Sequence, residues 1–377
     1  MRVALMTGIF PPDIGGPATH AVAVREEFEC RGHNVTVVTL WDGAHVDQSP
    51  GVVRLPRRWP WPMRFAGFVW WLVRHRRSYD VVYANTLLPE AVSGARLARR
   101  PVVVKVVGDH AWERASRLGI TSLDFIGFQQ KPPRGVRVRL MRGLRTWAVV
   151  HATAVTVPSQ YMRDVVRGWV GDGVEPVVIP NAVRVSLGAT SHVRRGSGPL
   201  RAIFVGRLIA LKRVDRLVQA VAMMPGVTLE VIGDGPELEA LRRYADNLSV
   251  SGRIRFLGAL PHEEALRRIE AADVLVLPSE IENLSHVAIE ALAIARPVIA
   301  AAVGGMREVV DSGRTGLLLE RTDAEAIAGA LARLRDDPDL HQRLSEAAAS
   351  EAARWSLSNV AGRLVDLLAQ ARVGDRG

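Results

Sequence analysis

The stretch AIFVGRLIALKRVDRLVQAV, residues 202–221, contains the repeating unit from which the fold can be predicted. It opens with a short run that is apolar on both faces, which indicates a strand buried inside a parallel sheet. After a short loop, Val214, Leu217, Val218 and Val221 follow at i, i+3, i+4, i+7 spacing, which places them on one face of a helix. A strand followed by an amphipathic helix is therefore expected here.

The same alternation recurs along the chain and predicts two parallel-sheet domains. Strand-like runs are VALMTG, NVTVVTL, DVVYANT, PVVVKVVG and AVTVPS in the first half, and AIFVGRL, TLEVIGDG, IRFLGAL, DVLVLPS, PVIAAA and GLLLE in the second. Two such series indicate an α/β protein of two Rossmann-like, doubly wound domains. The predicted domains are residues 1–185 and 186–355, followed by a C-terminal helix, residues 356–377, that packs back toward the first domain.

Length and composition narrow the class of protein. The 377 residues, 48% of them hydrophobic, suffice for a core in each domain. No apolar run reaches the roughly 20 residues that a membrane span needs, and MRVALMTGIF is expected to be an opening strand rather than a signal peptide. The single cysteine, Cys30, excludes an internal disulfide and is expected to be a buried side chain on the first helix. A cytoplasmic protein is predicted.

The positive charge is confined to the first half of the chain. Residues 1–187 hold 25 Lys and Arg against 14 Asp and Glu, a net charge of +11, whereas the remainder holds 24 against 25, a net charge of −1. Residues 57–80, RRWPWPMRFAGFVWWLVRHRRSYD, add Trp and Phe to the arginines, and residues 131–147, KPPRGVRVRLMRGLRTW, contain no acid. These stretches predict peripheral binding to the inner face of a membrane. The alternative is a solvated basic face whose aromatic side chains pack in the core.

Because ligands bind beyond the carboxyl ends of parallel strands, the loops after the strands are where a site is expected. In MTGIFPPDIGGPATH, Gly15 and Gly16 would let the backbone approach a ligand at the start of a helix. In FVGRLIALKRVD, Arg207 and Lys212 are spaced so that both can converge on one anion, such as a diphosphate. The alternatives are an ordinary strand-to-helix turn and two solvated surface cations.

The stretch SEIENLSHVAIEAL, residues 279–292, holds a loop glutamate, Glu282, and a helical glutamate, Glu290. Ser285 is predicted to cap the helix between them. The two carboxylates could reach two ends of one ligand, since paired carboxylate oxygens accept hydrogen bonds from sugar hydroxyls. The alternative is a surface glutamate and a second one paired with an arginine.

Two further loops carry weaker signals. Gly233, in VIGDGPE, is expected in a tight turn near the ligand, because the third glycine of a dinucleotide fingerprint is missing. Asp109 and His110, in VVKVVGDHAW, follow a central strand of the first domain, where either could contact a substrate. A structural role is the alternative for the histidine.

Together these loops resemble the family 4 glycosyltransferases of the GT-B fold, over nearly the whole chain and most densely from Phe204 to Glu320. The matching positions are Glu282 and Glu290, separated by seven residues, then Gly206, Arg207 and Lys212, and the glycine pair Gly15 and Gly16. The chain departs from the family where Asn283, Leu284 and Ser285 replace the usual Gly-Phe-Gly. Either Asp109 or His110 matches the histidine that the family places after the fourth strand.

The resemblance implies an activity and a role for each matched residue. It implies a retaining transferase without metal or cofactor, which moves a sugar from a nucleoside-diphosphate sugar, UDP- or GDP-linked, to an acceptor. Arg207 and Lys212 would hold the diphosphate, with Glu290 on the ribose and Glu282 on the transferred sugar. Gly16 would let its loop approach the phosphate, and the loop around Gly233 and residues 283–285 would line the donor site.

The sequence leaves alternatives open for the acceptor and for the class of reaction. The acceptor is expected to be lipid-linked, another glycan or a small molecule, in cell-envelope or glycoconjugate biosynthesis. A GT-B epimerase or phosphorylase would share the architecture. A nucleic-acid-binding protein would use the basic half but would leave the second domain's polar loops unexplained, so no nucleic-acid partner is predicted. A dehydrogenase is disfavoured by the missing fingerprint.

Overall fold

The computed structural model describes residues 1–13, 16–43, 49–183 and 198–374. The chain divides into two compact units, one made of Met1–Ala182 with Leu357–Gly377 and the other of Val183–Ser356. The predicted boundary between residues 185 and 186 lies outside the described residues. Within the described ranges, none of the helices combines the length and apolarity needed to cross a bilayer.

Unit 1 is built on a seven-stranded sheet with strand order β3-β2-β1-β4-β5-β6-β7. Every pairing in it is parallel. The strands are β1 (Arg2–Met6), β2 (Asn34–Trp41), β3 (Val52–Pro56), β4 (Val81–Ala84), β5 (Val102–Lys105), β6 (Ala154–Val157) and β7 (Val177–Val178). Its helices are α1 (Gly16–Cys30), α2 (Trp61–Arg74), α3 (Leu88–Ala98), α4 (His110–Arg117), α5 (Phe125–Gln130), α6 (Val136–Val150) and α7 (Gln160–Val170).

The two edge strands of unit 1 are absent from the sequence prediction. β3 is only partly buried along its whole length, and β7 has two residues. Neither is the continuous apolar run from which the other strands are predicted.

Cys30 is exposed, so the prediction of a buried side chain is wrong. It is the last residue of α1, and the helix ends at the surface.

Unit 2 is built on a six-stranded parallel sheet with strand order β10-β9-β8-β11-β12-β13. The strands are β8 (Leu200–Val205), β9 (Val227–Ile232), β10 (Ile254–Gly258), β11 (Val274–Leu277), β12 (Val298–Ala301) and β13 (Gly316–Leu319), which confirms all the strands predicted for this half. Its helices are α8 (Val214–Ala222), α9 (Leu238–Asn247), α10 (His262–Ala271), α11 (His286–Ala293), α12 (Met306–Val309), α13 (Ala324–Asp336) and α14 (Pro338–Glu351).

The last helix, α15 (Leu357–Gly374), belongs to unit 1 although it follows unit 2 in the sequence. Val360, Leu364 and Leu368 are buried in the same apolar cluster as Phe28 of α1. Arg31, just beyond α1, donates a 2.7 Å hydrogen bond to the carbonyl oxygen of Ser358. The core of unit 1 is therefore closed by a segment from the far end of the chain.

A lysine that has no carboxylate partner in the described part of the chain is buried inside unit 1. The Lys105 ammonium, at the end of β5, donates to Asn181 Oδ1 at 3.0 Å and lies 3.1 Å from His20 Nε2, which contacts the Tyr83 hydroxyl at 3.0 Å. Burial lowers the pKa of Lys105 to about 7. At a pH between about 7 and the ordinary lysine pKa, the unfolded chain therefore binds a proton at Lys105 more tightly than the folded chain does.

We predict that unfolding stability increases with pH between about 7 and 10, and that Lys105→Met removes much of this increase. The folded state binds fewer protons in this range, so the slope of stability against pH is positive. The contribution is on the order of a few kcal/mol. Urea unfolding at about pH 7 and pH 9.5 measures it, and equal slopes for both proteins would show that Lys105 is protonated in the folded state.

Candidate functional site

The order of strands in unit 2 places a switch point between β8 and β11. These strands are neighbours at the centre of the sheet, with β9 and β10 beyond β8 and with β12 and β13 beyond β11. Chain connections therefore leave β8 and β11 in opposite directions. In open parallel sheets, the carboxyl-end loops at such a point leave a crevice where ligands bind. Here those loops are residues 206–213 and 278–285.

The two loops are joined by an ion pair. The Lys212 ammonium, at the end of a 3-10 turn after β8, donates to Glu282 Oε1, which also accepts a 3.0 Å bond from the Ser279 hydroxyl. The backbones are joined as well, since the Glu280 amide donates to the Leu211 carbonyl oxygen at 2.9 Å. The Lys212 and Glu282 side chains are 22% and 12% exposed. Two residues predicted for the site are therefore in direct contact.

Arg207 differs from Lys212 in its surroundings. Its side chain is exposed, and among the described residues no carboxylate pairs with it. Its backbone is held in place on both sides, because the amide of Gly206 donates to Ile232 and that of Leu208 to Asp234, each at 2.9 Å. The residue therefore presents an uncompensated charge from a fixed position at the end of β8.

Gly233 is required by the packing of these loops. Its φ is 139°, and a Cβ at this position would lie 1.8 Å from the carbonyl oxygen of Gly206. Only glycine tolerates that approach. The structure therefore gives Gly233 a packing role beside Arg207, and its predicted contact with a donor stays a prediction.

Glu290 lies one turn into α11. Ser285 caps this helix by accepting a 3.4 Å hydrogen bond from the Ala288 amide, which confirms the predicted cap. The Glu290 side chain is 12% exposed, and this burial raises its pKa to about 7. His262 Nε2 lies 3.6 Å from Glu290 Oε1.

His262 was not among the residues predicted for the site. Its place at the start of a helix could be predicted from the sequence, because Leu-Pro-His-Glu-Glu follows the strand IRFLGAL and is typical of a helix start. The contact between His262 and Glu290 could not be predicted from the sequence, since it depends on how α10 packs against α11.

The three residues that replace Gly-Phe-Gly are partly used by the fold. Leu284 is buried in the core of unit 2, and the Ser285 hydroxyl caps α11. Asn283 is half-buried. Any ligand contact from Leu284 or Ser285 would therefore come from the backbone, and the predicted role of all three in donor binding stays a prediction.

The predicted site residues of unit 1 differ in exposure. The Asp109 side chain is fully buried and caps α4 through the Ala111 amide at 2.9 Å. It also accepts from Gln129 at 2.8 Å and from Arg145 at 2.5 Å. Asp109 therefore has a structural role that joins α4, α5 and α6.

His110 is the more accessible of the two candidates in unit 1. Its side chain is 44% exposed and lies 3.5 Å from Glu113. Desolvation opposes the charge on the ring, but the carboxylates of Glu113, Asp109 and Glu90 outweigh this effect and raise the pKa of His110. Contact of either residue with a substrate stays a prediction.

The first loop is described only in part. Gly16 begins α1, whereas Gly15 lies outside the described residues. Within the described ranges, no three His, Cys, Asp or Glu side chains are grouped as ligands for a metal ion. The predicted absence of a metal from the reaction stays a prediction.

Two family models match the chain. The model described as Glycosyltransferase Family 4 matches residues 14–187, and the model described as Glycosyl transferases group 1 matches residues 192–351. A D-inositol 3-phosphate glycosyltransferase from Corynebacterium urealyticum is 39% identical over 194 residues, 48% of this chain and 46% of that protein. A glycogen synthase from Mycobacterium tuberculosis is 30% identical over 276 residues, 71% of this chain and 63% of that protein. The chain thus spans about half to two thirds of the length of these relatives.

Solved structures extend the likeness of fold to nearly the whole chain. A sucrose-phosphate synthase from Thermosynechococcus elongatus has a TM-score of 0.80 at 22% identity and 99% coverage of both chains. The Anabaena protein HepE in complex with UDP-glucose has a TM-score of 0.78 at 21% identity, covering 98% of this chain and 100% of that chain. The resemblance seen in the loops and the predicted fold class are thereby confirmed: the chain belongs to the family 4 glycosyltransferases and has their GT-B fold of two Rossmann-like domains.

Proposed function

We propose that this protein is a retaining glycosyltransferase that moves a sugar from a nucleoside-diphosphate sugar to an acceptor, without a metal at the site. The observation that carries the proposal is the grouping at one switch point of an exposed arginine, a lysine paired with a glutamate, and a nearly buried second glutamate. Cations suit a diphosphate, and carboxylates suit the hydroxyls of two sugars.

Arg207 and Lys212 are assigned to the diphosphate. Arg207 is exposed and has no acidic partner within the described ranges, so a diphosphate would meet its charge without first displacing one of those carboxylates. Lys212 has three donor hydrogens and uses one on Glu282, which leaves others for an anion. As the anomeric bond breaks, negative charge grows on the departing diphosphate, and these cations stabilise it more in the transition state than in the bound donor.

Glu282 is assigned to a hydroxyl of the transferred sugar rather than to nucleophilic attack. Its Oε1 is already occupied by Lys212 and Ser279, and a carboxylate held in this way is a weak nucleophile. This favours a path in which the acceptor oxygen attacks the anomeric carbon on the face that the diphosphate leaves. The acceptor's proton then passes to the leaving phosphate oxygen, and the configuration is retained.

Glu290 is assigned to the ribose of the donor. Carboxylates recognise ribose hydroxyls in nucleotide-binding parallel-sheet domains, and Glu290 lies one turn into the helix that follows β11. HepE, one of the structural neighbours, was solved with UDP and with UDP-glucose, which supports a UDP-sugar as the donor here, with a GDP-sugar as the alternative.

The two basic stretches of unit 1 differ in how far their apolar side chains are exposed. In the first, Phe68, Trp71 and Leu72 of α2 are buried, although Trp61 and Trp70 are exposed. In the second, Val136, Leu140 and Leu144 recur on one face of α6 and are 66%, 68% and 37% exposed. The apolar positions of this face stand next to arginines in the sequence, and residues 131–147 contain no acid.

We propose that α6 binds the anionic inner face of a membrane, where a lipid-linked acceptor would be presented. Apolar side chains on one face of a helix can enter the headgroup region while flanking arginines reach the phosphates. The proposal places the protein at the periphery of a cytoplasmic membrane surface, and it assigns no nucleic-acid partner to the basic half.

We expect one nucleoside diphosphate among UDP, GDP, ADP, CDP and dTDP to raise the melting temperature by several degrees, with or without magnesium. A ligand at about 100 times its Kd stabilises by about 2.7 kcal/mol. Arg207→Ala should abolish the shift, whereas Arg242→Ala, which removes an exposed arginine from α9, should keep it. A shift with nucleic acid alone would contradict the proposal. Product analysis with labelled donor then distinguishes transfer from epimerisation.

We predict that Lys212→Ala lowers kcat/KM by roughly 100-fold or more, because it removes a charge that meets the leaving diphosphate. It should also cost about 1–3 kcal/mol of stability, because Glu282 is left unpaired in a mostly buried position. The double variant Lys212→Ala, Glu282→Ala should regain stability but not activity. A double variant as active as the wild type would show that the pair is only structural.

We expect the protein to sediment with vesicles that contain anionic lipid at low salt, and Leu140→Glu to abolish this binding by placing a charge in the apolar face. Leu97→Glu is the matched control, because Leu97 is 65% exposed on α3 of the same unit. Equal sedimentation of both variants would exclude α6 as the membrane-binding element, and failure of the wild type to sediment would exclude the membrane proposal.

A further inference from the structure

His262 brings a titratable ring to the nearly buried Glu290. It is the first residue of α10, which follows strand β10. The chain enters α10 from the carboxyl end of that strand, on the same side of the sheet as the loops of the candidate site. His262 Nε2 is 3.6 Å from Glu290 Oε1, and the two side chains are 53% and 12% exposed. The histidine can therefore exchange protons with solvent while it faces a carboxylate that is largely shielded from water.

Several other charged groups on the elements packed against α11 have described partners elsewhere. On α10, Glu264 pairs with Arg267 and Arg268. On α14, His341 bonds the Asp273 carbonyl oxygen at 2.8 Å. The remaining ones with a described contact are Glu346, bonded by Gln342; Glu351, paired with Arg314; and Arg354, over Trp355. Among the described residues, His262 is the one cationic side chain that forms an ion-pair contact with Glu290.

Burial alone would leave Glu290 close to half protonated at neutral pH, since it raises the pKa of this carboxyl to about 7. A protonated carboxyl accepts hydrogen bonds more weakly than a carboxylate. A positive charge within about 4–6 Å favours the ionised form. At 3.6 Å, the imidazole of His262 lies within this range of the Glu290 carboxylate.

We propose that His262 is a positioning residue of the nucleotide site: its protonated imidazole keeps the Glu290 carboxylate ionised and directed to accept hydrogen bonds from the ribose of the donor. The inference rests on the proposed function, because it takes Glu290 to be the ribose-binding group. It adds a residue from α10 to a site otherwise built from the loops after β8 and β11 and from the start of α11.

The consequence is a dependence of nucleotide affinity on pH that differs between variants. With His262 present, a positive charge on its ring 3.6 Å away favours the ionised form of Glu290, so ionisation should persist to lower pH than in its absence. Without it, the raised pKa of this buried carboxyl leaves Glu290 more protonated at pH 6 than at pH 8.5. Affinity should therefore fall by roughly tenfold at pH 6 in His262→Gln and match that of the wild type within about twofold at pH 8.5.

The test is calorimetric titration of UDP and GDP into the wild type, His262→Gln and Glu263→Gln at about pH 6.0, 7.0 and 8.5. Glu263→Gln is the matched control, because it alters a charge on the same exposed turn of α10 without a described contact to Glu290. In a Glu290→Gln background, His262→Gln should have no further pH-dependent effect. The control should follow the wild type throughout.

Three results would overturn the inference. His262→Gln could bind as the wild type does at every pH, or it could lose the same affinity at every pH, which would indicate a structural role. Carboxyl-carbon NMR of Glu290 could also show the same titration in both proteins. Absence of nucleotide binding by the wild type would instead overturn the proposed function, and the NMR comparison would still decide whether His262 and Glu290 are coupled.

Discussion

The ion pair between Lys212 and Glu282 joins the two loops that diverge at the centre of the unit 2 sheet. Both side chains are mostly buried, so each charge would be costly without the other. The pair, with the backbone bond from Glu280 to Leu211, keeps the ends of β8 and β11 together. The rest of the candidate site is arranged around this connection, with Arg207 before it on the first loop and Glu290 in α11, the helix that follows the second loop.

The surroundings of the site are organised by tight backbone packing rather than by mobile side chains. Gly233 lets the loop after β9 approach Gly206 so closely that no side chain could intervene. That approach fixes the backbone on which Arg207 stands. A charged residue on a fixed backbone loses little entropy when it meets a ligand, which suits a group that must bind a developing negative charge.

Unit 1 contains two kinds of buried charge, one paired with an opposite charge and one without a described carboxylate partner. Asp109 and Arg145 are buried as a pair, and the guanidinium stacks 3.8 Å from the Trp169 ring centroid. Lys105 is buried with no carboxylate beside it among the described residues and donates to the Asn181 amide oxygen instead, so its proton is weakly held. The first arrangement anchors helices α4 to α6, which carry the exposed apolar and basic surface; the second lies beneath α1.

The alternation of strands and helices was determined by the sequence, because apolar runs and helical spacing are local properties. All the strands of unit 2, the cap at Ser285 and the family could be predicted in this way, whereas the edge strands β3 and β7 could not, since they lack a continuous apolar run. The tertiary structure alone decided that Lys212 pairs with Glu282, that Asp109 is buried against Arg145, and that His262 faces Glu290. Each of these contacts joins residues far apart in sequence, and the order of strands and the packing of helices bring them together.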